Sequence, residues 1–203
     1  MDPTPLHAAT RERRVTPLAG IEVRAADDDS GQLRFRGRAV VYNQLSDDLG
    51  GWRERIMPGA ATRTLDADPD VRFVINHNPD LLLSRTRNGT LRLTQDDEGV
   101  LVDAEMANVS HARDLAVLLE RGDITQMSFA FWITAHGWAG DVHEVYAFDL
   151  DGGDVSVVTY PAFPQTSAEL ASRAAAHLAR PSAERPLALY QHRVRQYVLL
   201  AQA

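Results

Sequence analysis

At 203 residues, 44% hydrophobic and 24% charged, the chain has the make-up of an ordinary globular domain with a sizeable core and some appended helix or tail. A formal net charge of -7 argues against a nucleic-acid-binding surface as the main function. Cys is absent and all 21 basic residues are Arg, which excludes thiol nucleophiles, disulfides, thiolate metal sites, a P-loop or Schiff-base lysine and a Ser-Lys dyad.

Residues 1–18 are polar with Pro and Arg, and read as a flexible leader. Met1-Asp-Pro-Thr-Pro lacks the basic-then-apolar form of a signal peptide, and no apolar run is long enough to cross a bilayer, so the expectation is a protein working inside the cell that makes it. From Ile21 the pattern alternates. Ile21-Glu-Val-Arg and Leu33-Arg-Phe-Arg, separated by the turn Asp27-Asp-Asp-Ser-Gly31, predict a hairpin whose second strand runs on to Tyr42. Trp52 to Met57 is a further strand, and Pro58-Gly59 opens one short helix. Val71 to Asn76 is nearly all apolar and predicts a central strand that ends at His77, before Asn78-Pro79.

Thr90 to Thr94 and Val100 to Met106 form a second predicted hairpin around Asp96-Asp-Glu-Gly99. Asn108 to Gly122 has an Asn or Ser cap, apolar residues at helical spacing and a terminal glycine, and predicts the clearest helix. Three strands follow, over 124–133, 143–148 and 155–160, with turns at Gly137–Gly140 and Asp151–Asp154. An Ala-rich helix over 166–180, a linker over 181–186 and a helical stretch over 187–200 complete the chain. The apolar stripe of that last stretch either packs back on the domain or engages a partner helix. The division is therefore a leader (1–18), a β-rich domain (19–165) and a helical C-terminal annex (166–203). The expected class is mainly β with a few helices (α+β), as a closed or sandwich-like antiparallel sheet.

The chemistry concentrates in two places. Ser128 puts one hydroxyl in the apolar run Met127-Ser-Phe-Ala-Phe-Trp-Ile133, where burial is costly unless the hydroxyl has a partner. A serine needs a neighbouring base to become a nucleophile, and His77 is suited to that near neutral pH. The bland readings are a structural serine bonded to backbone and a histidine capping a turn. Asp149-Leu-Asp-Gly-Gly-Asp154 fails as an EF-hand, because its twelfth position is Tyr160. His136 and His143 lack the His-Glu-x-x-His arrangement, but with Asp149 they define a metal-dependent hydrolase as a further reading. Phe129, Phe131 and Trp132 read as core packing or as the lining of a groove.

The order of these pieces is more specific than any one of them. Gly51-Trp-Arg-Glu-Arg-Ile-Met-Pro58-Gly59, Asn76-His-Asn78, a helix ending in Arg121-Gly-Asp-Ile, Met127-Ser-Phe and Asp154-Val-Ser-Val-Val…Pro161-Ala follow one another. This order resembles the prohead (capsid maturation) serine proteases of tailed bacteriophages, which are related to the herpesvirus assemblins. Over about residues 20–170, the resemblance implies a closed antiparallel β-barrel with flanking helices. It implies Ser128 as nucleophile and His77 as general base, with the acidic third member at Asp154, where the family usually has Glu. The assemblins use a histidine there, which brings in His136 and His143. Backbone amides near Pro161–Phe163, or Arg85, are the candidates for the oxyanion site.

The implied activity is a serine endopeptidase, needing no metal or cofactor, that removes the scaffolding segment of the major capsid protein and trims itself. It would act in the host cytoplasm inside the assembling procapsid, with a possible homodimer and no nucleic-acid or membrane partner. The alternative is a non-catalytic head-assembly protein that keeps the fold. A protease requires Ser128 Oγ within reach of His77 beside an open cleft, whereas a structural protein can seal the serine in its core.

Overall fold

The computed structural model describes residues 11–17, 22–25 and 33–159. In chain order the elements are β1 (Glu12–Pro17), β2 (Glu22–Ala25), β3 (Leu33–Val41), β4 (Arg53–Ile56), α1 (Thr62–Asp66), β5 (Arg72–Ile75) and β6 (Asn78–Arg85). They continue with β7 (Leu91–Asp96), β8 (Gly99–Met106), α2 (Ser110–Glu120), β9 (Gln126–Ala139) and β10 (Val142–Val158). Mainly β with few helices is the class expected from the alternating pattern. The 166–203 annex lies outside the described residues.

Two sheets carry the strands. One runs β1-β9-β10-β5-β6, with β4 on the other half of β10, and the second runs β2-β3-β8-β7. No sheet among the described residues closes on itself, so the expected closed barrel is corrected to two open sheets. Proline marks both edges of the first sheet. Pro79 in β6 and Pro17 in β1 have no N–H to offer a further strand, the usual reason such strands stay at an edge. The sheets pack through β3. Its Phe35 ring meets Phe73 of β5 at 4.8 Å between centroids. A Cβ at Gly37 would lie 3.2 Å from Met127 Sδ of β9 and 2.9 Å from the Phe35 ring, so the bare glycine leaves the room that these two side chains fill. Phe129, Phe131, Phe148, Met106 and Leu115 complete one continuous buried core.

Several expectations change. Glu12–Pro17, read as leader, is the strand β1, antiparallel to β9. Pro79 hides β6 in the sequence. The expected all-antiparallel sheet is mixed, because β4 and β5 both lie parallel to β10. The three strands expected over 124–160 are one long hairpin, β9–β10. Gly137 lies inside β9, and Asp151 to Asp154 belongs to β10, where pairing jumps from Asp149↔Trp132 to Asp154↔Ala130. That jump is a bulge rather than a turn. α2 begins at Ser110 after Val109, and neither Asn108 nor Ser110 caps it through its side chain. Gly122, with φ of 76°, follows its C-terminus as read from the sequence.

Candidate functional site

The β5–β6 hairpin closes on two residues, Asn76 and His77, with φ of 52° and 55°. Two successive left-handed residues between Ile75 and Asn78 make the type I′ turn whose twist suits a tight hairpin. Asn is favoured there, and His tolerates the region better than most side chains. The turn is fastened to β10. Asn76 N–H donates to the Val157 carbonyl (2.9 Å), Thr159 N–H donates to Asn76 Oδ1 (2.9 Å), and His77 N–H donates to Ser156 Oγ (3.0 Å).

This fixes the His77 ring between two strands. Its Nε2 lies 2.7 Å from Ser128 Oγ on β9, and its Nδ1 lies 2.5 Å from Asp154 Oδ1 on β10. Register explains the meeting. Ser128 and Ser156 are directly paired across β9–β10, and Asp154, two residues before Ser156, shares its face. Ser156 donates to the same Asp154 Oδ1 at 3.2 Å, and Arg11 forms an ion pair with Oδ2. Ser128 and Ser156 are fully buried, and the His77 and Asp154 side chains are 5% and 8% exposed. The chain Asp154–His77–Ser128 can remove the Ser128 proton through Nε2, while the carboxylate stabilises the imidazolium that results.

Sequence reasoning singled out Ser128, His77 and Asp154, and the structure brings the three together. It overlooks Ser156 and Arg11. Ser156 was within reach, since alternation along Asp154-Val-Ser156 puts both polar residues on one face. Arg11 had no signal, because its segment reads as leader.

The glycines before Asp154 matter to this geometry. A Cβ on Gly153 would stand 2.3 Å from the Ala130 carbonyl oxygen, a backbone atom that cannot swing aside. Gly153→Ala is therefore expected to force the bulge apart, costing roughly 1–3 kcal/mol and moving Asp154 from His77. A urea melt alongside an activity assay checks this, with activity falling more than stability explains.

The alternative residues form a separate network. His143, fully buried, bonds Glu54 Oε2 through Nδ1 (2.8 Å) and His136 Nδ1 through Nε2 (2.8 Å). His136 is eight residues beyond Ser128 along β9, roughly 27 Å at strand rise, so neither histidine comes within reach of His77 and Ser128. Asp149 accepts from Thr64 Oγ1 at 3.1 Å. Among the described residues no group of three carboxylate or imidazole side chains gathers as a metal requires. Arg85 is bidentate on Asp70, at the far end of β6 from His77, and Pro161–Phe163 lie outside the described residues.

Glu54 also receives both arms of Arg14 from β1, with both side chains buried. Burial pushes the Glu54 carboxyl up, but the Arg14 charge and hydrogen bonds from Arg14 and His143 outweigh it and hold it at about 2. A carboxyl depressed in the folded state stabilises fully above its ordinary 4.5, and that contribution is lost as pH falls toward 2. Arg14→Met would leave the Glu54 carboxylate buried without its guanidinium, with only the His143 bond remaining, and is expected to cost about 3–5 kcal/mol in a denaturant melt at pH 7. Adding Glu54→Gln should recover part of that loss.

A family model described as caudovirus prohead serine protease matches residues 19–181. A search of the curated proteins finds no relative by sequence. Among solved structures, the bacteriophage T4 capsid assembly protease is similar, with a TM-score of 0.49 and 10% identity, covering 76% of this chain and 100% of that one.

Proposed function

Because the chain belongs to the caudovirus prohead serine proteases, we propose that it is the endopeptidase of procapsid maturation, cutting the scaffolding segment from the major capsid protein and trimming itself. Ser128 is the nucleophile, His77 the general base and acid, and Asp154 the residue that orients the imidazole. The observation that carries this reading is the continuous bonding of Asp154, His77 and Ser128, residues 77 and 51 positions apart in sequence. Its two distances are those of a nucleophile–base pair and of a base held by a third group.

In the proposed reaction Ser128 Oγ attacks the scissile carbonyl as its proton passes to Nε2. The tetrahedral intermediate collapses when Nε2 gives that proton to the leaving amine. Water, deprotonated by His77, then attacks the acyl-serine, and the proton returns to Ser128 as the new carboxyl terminus leaves. The substrate is an extended segment whose main chain bonds to a strand. Confinement within a shell raises its effective concentration.

The non-catalytic alternative turns on access to Ser128. Ser128 is fully buried, so a substrate carbonyl reaches it only if the site opens. Co-expression with the major capsid protein, reading its mass inside assembled shells, decides between the two. Shortened capsid protein supports the protease; full-length protein in normal shells supports the assembly role.

A further inference from the structure

Ser156 lies directly opposite Ser128, fully buried, with a hydroxyl that both accepts and donates within the site. Its two bonds have a fixed direction. A backbone N–H can only donate, so the His77 main chain occupies a lone pair of Ser156 Oγ and leaves the hydroxyl proton for Asp154 Oδ1, 3.2 Å away. Asp154, ionised in its pair with Arg11, accepts at both oxygens, at Oδ1 from Ser156 and at Oδ2 from Arg11. With both carboxylate oxygens accepting, the His77 ring must meet Oδ1 with Nδ1–H, 2.5 Å away. The ring's lone pair is thereby placed on Nε2, facing the Ser128 hydroxyl at 2.7 Å.

We infer that Ser156 is a positioning residue that holds the His77 main chain and the Asp154 carboxylate in the relative place this proton order needs. It completes a one-way circuit from the His77 main-chain N–H, through Ser156 and Asp154, back to the ring of the same histidine. The same hydroxyl holds His77 in its left-handed backbone, which an L side chain adopts at a cost. Ser156 touches neither substrate nor reacting atoms, and acts through His77 and Asp154. This inference deepens the protease reading and rests on it for its kinetic arm alone; the tautomer stands independently of activity.

The test pairs kinetics with ¹⁵N-histidine NMR of the full chain, identifying the His77 resonances by comparison with His77→Gln. In the wild type at neutral pH, the Nδ1–H tautomer is expected. Ser156→Ala should keep the Nδ1–H tautomer, which the Asp154 carboxylate dictates by itself, but shift the Nδ1–H proton signal as the His77–Asp154 bond loosens, and lower kcat roughly 10–100-fold, short of the ~10⁴ that a wrong tautomer costs, with KM within about twofold. Ser156→Thr, which keeps the hydroxyl on a strand, should restore both. An unchanged Nδ1–H signal in Ser156→Ala overturns the inference, whether activity is kept or falls only with the folded fraction. If Ser156→Ala fails to fold, the wild-type spectrum still decides, because an Nε2–H tautomer there breaks the circuit. Wild type that shows the Nδ1–H tautomer but no peptidase activity would sink the protease reading and leave the hydrogen-bond circuit intact.

Discussion

Ser128→Ala is expected to leave the capsid protein at full length in shells where the wild-type protein shortens it. Removing the nucleophile of a Ser-His-Asp group costs on the order of 10⁶ in kcat, because the other members have nothing left to activate. The fold should survive. The change deletes a hydroxyl within a buried strand, and its main loss is the bond to His77 Nε2, worth about 1 kcal/mol. Thermal melting and the capsid-protein mass, measured on the same preparations, separate the two effects. Identical trimming by Ser128→Ala and wild type would remove Ser128 as nucleophile, whatever its contact with His77. Trimming by neither, in shells of normal form, would favour the assembly role and make the sealed serine an ordinary core residue.

Asp154→Asn should be nearly as severe, for a different reason. The amide has the shape of the carboxylate but only one acceptor oxygen. Arg11 demands an acceptor on the Oδ2 side, so the amide oxygen turns there and its NH₂ faces His77 Nδ1 and Ser156. Two donors cannot face each other, so the ring is driven to the Nε2–H tautomer. Its proton then points at Ser128 Oγ, and the base is lost. A fall of about 10⁴ in kcat is expected with little change in KM, read by steady-state cleavage of a peptide taken from the capsid-protein junction. Retention of more than a tenth of wild-type activity would rule out Asp154 as the orienting group. Asp154→Asn should melt close to the wild type, since the Arg11 partner is over a third exposed and such a pair contributes little.

Much of the local structure was legible from residue pattern. The β7–β8 hairpin shows strict alternation around an acidic turn with glycine, and α2 shows helical spacing that ends at Gly122. The β5 strand reads as a buried apolar run, and it lies between β10 and β6. Elements whose chemistry is ambiguous misled. Pro79 reads as a breaker, but an edge strand needs no donor on its open side, so β6 accommodates it. Asp151-Gly-Gly-Asp154 has the composition of a turn. Its ends do not reverse the chain, because β9 continues to pair on both sides of it. Glu12 and Arg14 look like solvated leader charges until Glu54 and the edge of β9 supply their partners.

Residue pattern alone carries the strand-rich class, the family through the order of its motifs, and two residues, Ser128 and His77, whose chemistry is out of place on apolar strands. Each of these is a property of local pattern or of order along the chain. Folding in three dimensions adds that the sheets stay open among the described residues, that β4 and β5 run parallel to β10, and that His77, Ser128 and Asp154 share one hydrogen-bonded line. Those outcomes depend on register between strands far apart in sequence. A one-residue slip would turn every side chain of a strand to the opposite face, and no local pattern states which register a distant partner takes. Asp154 shows the division clearly. Its composition fits a turn as well as a site, and only the pairing of Ser156 with Ser128 places its carboxylate on the face where His77 waits.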